Sequence, residues 1–202
     1  MFRRIKKDHK WQCNPRYTAL LKSTWSDDFE VLFALGAKMY ITAFEGPHGV
    51  ACKSLFPWVA KYEEAGENYA DKSEFRLQAL RLVQTIVKAL DKVDDLQKLE
   101  AYLYAVGHRH VFYLPVWLDP VYWDVFKASR ATSYLGQSTM LKSASERDAV
   151  QVGVNDHLHK LSKLSTDDLA RATLIWTDII EYIFEYVKEG FYDGLKGRNR
   201  FS

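Results

Sequence analysis

The sequence predicts an all-α chain folded as one helical domain, and three observations carry that expectation. Apolar residues recur three and four apart through most of the 202 residues. Asn, Ser and Asp residues, often ahead of a proline, stand where the periodic runs begin. No run shows the period of two that a half-buried strand requires. With 48% hydrophobic and 27% charged residues the composition is that of an ordinary globular domain, long enough to bury a sizeable core.

Taken in order, residues 1–16 form a basic N-terminal arm with Arg3, Arg4, Lys6 and Lys7, read as a solvated tail rather than a lipid contact. Asn14-Pro15 starts a first helix bearing Leu20, Leu21 and Trp25. Ser26-Asp27-Asp28 starts a second, with Phe29, Leu32, Phe33, Gly36, Tyr40 and Phe44 in helical spacing, and Gly46-Pro47 ends it. The run SLFPWV, Ser54 to Val59, reads as an apolar corner, followed by a polar loop from Lys61 to Tyr69. Asp71 or Ser73 is the expected cap of the next helix, which carries Phe75, Gln78, Leu82, Val83, Ile86, Val87 and Leu90.

Asp94-Asp95 opens the helix that ends in LEAYLYAVGHRHV, Leu99 to Val111. Gly107 reads as a weakening of its last turns, and His108, Arg109 and His110 stand where the helix dipole favours basic groups. Asp119-Pro120 is another helix start, leading into Val121, Tyr122, Val125 and Phe126. Residues 129–164 are rich in Ser, Lys and Gly and have no sustained period, so they read as an extended connection with a short helix around Asn155 to Leu164. His157 and His159, two apart on that helix, are expected at the surface. Ser165 to Asp168 starts the last helix, whose apolar stripe from Leu169 through Trp176 to Val187 is expected to stop near Gly190.

A net charge of +2 with no dense basic stripe argues against a nucleic-acid partner. No apolar run is long enough to span a bilayer, and membrane contact is not expected. The basic start has no apolar stretch behind it, so no secretory signal is expected, and Phe2 excludes the N-myristoylation pattern. Cys13 and Cys52 make neither a disulfide framework nor a zinc site. Free thiols in a reducing cytoplasm are the expectation, with a single regulatory disulfide as the lesser alternative.

Several residues then match one family. Trp25, Phe56 in SLFPW, the Val-Gly-x-x-His run ending at His110, and Trp176 stand where globins keep a first-helix tryptophan, a haem-wedging phenylalanine, the proximal histidine and a last-helix tryptophan. The spacings Phe56–Gln78 and Gln78–His110 are in neuroglobin-like register. The chain thus resembles a globin, most closely the nematode neuronal type. The resemblance covers residues 17–192, with an insertion at about 133–164 and a C-terminal tail at 193–202, and it implies a helical sandwich around a haem. The corner between Phe44 and Phe56 is longer than usual for the family.

Residue by residue, the resemblance implies haem b held by His110 as the proximal iron ligand, its other ring nitrogen turned to a backbone carbonyl near Val106. Phe56 would wedge against the haem and Arg81 pair with a propionate. Gln78 would occupy the distal position, with Leu82 lining the ligand space and Tyr40 reaching in from the second helix. Taken singly, Tyr40 reads as a core aromatic, Gln78 as a solvated helix residue and Leu82 as core; their joint spacing with Phe56 and His110 favours haem.

A Tyr/Gln distal pair is similar to that of nematode haemoglobins and bacterial flavohaemoglobins. It implies reversible, high-affinity oxygen binding for storage, delivery or sensing. The alternative is a nitric oxide dioxygenase or a redox or gas-signalling globin. That would need a partner reductase, since no G-x-G-x-x-G or room for a flavin domain exists here. The resemblance leaves a homodimer open.

Overall fold

The computed structural model describes residues 14–113, 123, 154, 157–158 and 164–198. They form helices α1 (Pro15–Ser23), α2 (Phe29–Glu45), α3 (Gly49–Ser54), α4 (Pro57–Glu64), α5 (Ser73–Leu90), α6 (Leu96–His110) and α7 (Thr166–Arg198), with a 3-10 turn at Tyr69–Asp71. No strand occurs among the described residues. No helix among them is long and apolar enough to cross a membrane. Asp119-Pro120, Cys13, His159 and most of the 129–164 connection lie outside the described residues.

Caps fix most helix starts. Asn14 Oδ1 accepts from the Arg16 amide at 2.9 Å, and Asp28 Oδ1 accepts from Glu30 and Val31 at 2.9 and 3.0 Å. Asp95 Oδ1 takes the Lys98 amide at 3.1 Å, and Ser165 Oγ takes that of Asp168 at 3.1 Å. α5 differs from expectation: the residue at its cap position is Lys72, without a side-chain cap. Both expected caps are engaged elsewhere, Ser73 Oγ with Glu74 at 2.9 Å and Asp71 with Asn68 at 3.1 Å.

Two stretches are more helical than the sequence suggests. The expected loop from Lys61 begins inside α4, because Pro57 presets the first turn and the helix closes only at Gly66. There φ is +70°, and the amides of Gly66 and Glu67 bond back to Glu63 and Tyr62 at 3.0 and 2.8 Å, a Schellman closure. The last helix does not stop near Gly190 either; it runs to Arg198 and takes in the start of the expected tail.

The reason lies in the crossing of α6 and α7, which is the most extensive helix contact among the described elements. A Cβ on Gly107 would run into the Val187 carbonyl and lie 2.9 Å from the Phe191 amide nitrogen; one on Gly190 would run into the Tyr104 carbonyl. The two glycines let the backbones touch. Gly107 is therefore a packing residue inside a sound helix, not a weak point, and Gly190 is a contact rather than a terminator. Beside them, Tyr182 and Tyr186 both donate to Glu100 Oε1 at 2.8 Å.

α1 also packs on α7, and α2 packs on α5. Trp176, fully buried, donates from Nε1 to Thr24 Oγ1 at 2.9 Å and lies 5.2 Å from the Trp25 ring. His157 corrects a second expectation: it is 8% exposed, with Nε2 3.0 Å from the Thr24 carbonyl oxygen. That carbonyl closes α1, and the imidazole covers it beside Trp25.

Gly107→Ala is expected to destabilise the chain by at least about 1–3 kcal/mol, since the methyl meets backbone that cannot yield. Gly197→Ala, in the same α7 with open space around it, should gain about 0.5–1 kcal/mol. Urea unfolding of the two variants against the parent checks both signs.

Candidate functional site

The core divides into two clusters. The larger joins α1, α2, α5, α6 and α7 through residues such as Leu21, Met39, Val83, Leu103 and Trp176. The smaller holds Tyr40, Phe44, Cys52, Val59, Phe75 and Ala79. Leu82, half-buried on α5, packs against both. α5 leans on α2 and α6 on α7, while α5 and α6 meet only weakly. The helices carrying Gln78 and His110 thus share the larger core without crossing closely on one another.

On the α5 side, Gln78 Nε2 donates to the Tyr40 hydroxyl oxygen at 2.7 Å. The Tyr40 ring is boxed by Phe44 and Phe56, each at 5.7 Å, and by Phe75 at 6.4 Å, all edge-on. Three perpendicular rings leave it one orientation. Burial pushes the Tyr40 phenol up to about 12; the Gln78 hydrogen bond and the Arg81 charge pull the other way. The hydroxyl therefore keeps its proton at neutral pH. Arg81 is exposed on the rim, one turn beyond Gln78. Burial likewise holds the Cys52 thiol up, at about 11, so it behaves as an inert core residue.

On the α6 side, His110 is half-buried while His108 is exposed. His110 Nδ1 stands 2.8 Å from the Val106 carbonyl oxygen. A carbonyl only accepts, so Nδ1 carries the proton and Nε2 is left as the lone-pair nitrogen. Burial lowers the imidazole's pKa from its ordinary value, the Val106 bond opposing and Arg109 assisting, which favours the neutral ring. A neutral imidazole with its Nδ1 bonded to carbonyl and its Nε2 offered is the donor a haem iron takes. Among the described residues no group of His, Cys, Asp or Glu side chains is arranged to hold a metal ion by itself. The His110 imidazole fits a single protein ligand to a haem.

A model of the globin family matches residues 49–161, more than half of the chain. This chain belongs to the globin family. Membership implies a haem cofactor, and the all-α arrangement around α5 and α6 is the globin fold. A crystal structure of a hexacoordinated heme protein from an anhydrobiotic tardigrade, at pH 4, superposes with a TM-score of 0.58 at 18% identity. The match covers 89% of this globin and 95% of that chain. No curated protein matches in sequence.

Two residues of this site carry no strong mark in the sequence. Phe75 reads there as one more apolar helix position, yet it edges both Tyr40 and Trp58. Trp123 packs edge-on to His110 at 5.8 Å. Its only signal is the Asp119-Pro120 start, which puts it in the first turn of a helix following the histidine.

His110→Ala is expected to lower haem occupancy of the purified globin, or to leave its haem open to added imidazole. His108→Ala should leave occupancy unchanged. Pyridine haemochrome titration of both variants checks this, and loss of haem in His108→Ala with retention in His110→Ala would reverse the assignment.

Proposed function

We propose that this globin binds haem b through His110 and reversibly binds oxygen with high affinity through Tyr40 and Gln78. The observation that carries the reading is the 2.7 Å hydrogen bond between Gln78 Nε2 and the Tyr40 oxygen. It joins Gln78 of α5 to Tyr40 of α2, a member of the smaller buried cluster.

Haem supplies the ferrous iron that takes up oxygen and lends the ligand partial negative charge. The protein's part is to meet that charge with fixed donors. Because Tyr40 accepts from Gln78, its own O–H hydrogen is the one to donate toward the ligand. The Gln78 amide has a second hydrogen for the same purpose. Phe44, Phe56 and Phe75 exclude water around the phenol, and in such surroundings each hydrogen bond is stronger than in water. Phe56 and Leu82 close the apolar wall, and exposed Arg81 is the cation for a propionate.

Gln78 also bears on coordination. An amide is a poor iron ligand, so the sixth position stays open in the ferrous state. The tardigrade protein is described as hexacoordinated; at 18% identity its sixth ligand does not transfer to this chain. The Tyr40/Gln78 pair is what aligns this globin with the nematode neuronal type. Storage, delivery and sensing all use this arrangement, and the thiol and thiolate chemistry of a redox module finds no support in buried Cys52.

Tyr40→Phe removes a hydrogen bond to a partly charged acceptor, worth about 1.5–3 kcal/mol. Oxygen release should accelerate roughly ten- to a hundredfold. Carbon monoxide gathers little charge and should respond far less. Stopped-flow release of both gases checks this; equal small changes would make Tyr40 a packing residue.

A further inference from the structure

Trp123 has no role in the account above, and its surroundings are unusual. It is 6% exposed and sits in helical backbone. One edge meets the His110 imidazole at 5.8 Å with an interplanar angle of 64°. The ring also meets Phe191 of α7 at 5.4 Å and 57°. Phe191 is fully buried at the Gly107 crossing, its amide nitrogen beside Gly107. The indole thus packs on both the imidazole and the α6–α7 crossing.

The indole nitrogen sharpens the point. Trp123 Nε1 is buried and has no hydrogen-bond partner among the described residues. A buried, unpaired N–H costs stability, and phenylalanine would fill an apolar slot without that cost. What tryptophan adds over phenylalanine is breadth, in a ring that packs edge-on to His110. The Val106 carbonyl pins one ring nitrogen of that histidine. One pinned atom leaves the ring free to pivot, and a second contact is needed to set its plane. The indole edge is that contact.

We propose that Trp123 is a positioning residue that sets the plane in which the His110 imidazole is presented to the haem iron. The proposal rests on His110 being the proximal ligand. Trp123 touches neither gas nor iron in this role; it acts through the imidazole. A haem held by His110 would feel that plane in how readily its iron takes up a ligand.

The test uses the full chain loaded with iron protoporphyrin IX, in the ferric cyanide form, where the order of the hyperfine-shifted haem methyl resonances reads the imidazole plane directly. Trp123→Phe is expected to fold and to show a changed methyl order. Trp123→Leu, with no ring, should change it further. The proposal is overturned if the methyl order is that of the parent in Trp123→Phe and in whichever of the two variants folds. A parent spectrum without hyperfine-shifted resonances from a 15N-labelled His110 ring would instead overturn the assignment of His110, and the proposal with it.

Discussion

The contact on which the rest depends is backbone against backbone where α6 crosses α7. Gly107 and Gly190 each face a carbonyl of the other helix, Val187 and Tyr104, at a separation no side chain allows. Dispersion between closely packed backbones is strong only because nothing intervenes, and it cannot be traded for a slightly larger residue. The crossing lies one turn before His110, so it sets where the imidazole stands. The Glu100 carboxylate bound by both Tyr182 and Tyr186 fixes the rotation of one helix on the other further along the same seam. Helix ends fray and last turns loosen; this one does not have that freedom.

The opposite side of the site is organised by a different physics. Tyr40 stands one turn beyond the close approach of α2 to α5 at Gly36, and edge-on aromatic rings and one amide orient its phenol. A donor already oriented and already dry needs no rearrangement when charge arrives, which is where hydrogen bonds contribute most. The division suits the task. His110, the proposed iron ligand, is placed by a close-packed seam, and Tyr40 and Gln78, the proposed oxygen donors, stand on α2 and α5, which support one another. Gly36 plays the smaller counterpart of Gly107 there, with a would-be Cβ only 2.5 Å from the Ala79 carbonyl oxygen.

Most helices were legible because period and caps agree: Asn14, Asp28, Asp95 and Ser165 all cap the runs they precede. The globin family was legible from four side chains and their spacing, confirmed by the family match over residues 49–161. Three things were not legible, each for a physical reason. Glycine has the same letter whether it loosens a helix or lets another touch it, so Gly107 and Gly190 were misread until α7 was in place. α4 was hidden because Lys61 to Glu64 is polar, and its closure depends on a single φ at Gly66. His157 was read from its sequence neighbours, but it is buried by a carbonyl more than a hundred residues earlier, and no periodicity reports such a partner. The hydrogen bond between Gln78 and Tyr40 is a refinement of the same kind: spacing brought the two to one site, and only the fold aimed one at the other.

The central claim is a five-coordinate ferrous haem on His110, facing a Tyr40/Gln78 pair that leaves the sixth position open. The absorption spectrum of the purified protein, reduced under nitrogen and then exposed to oxygen, tests it most directly. The account predicts a high-spin, five-coordinate ferrous spectrum that converts to a stable oxygenated one and reverts on removal of the gas. A ferrous spectrum already low-spin without added ligand would mean that a side chain occupies the sixth position, and would contradict it.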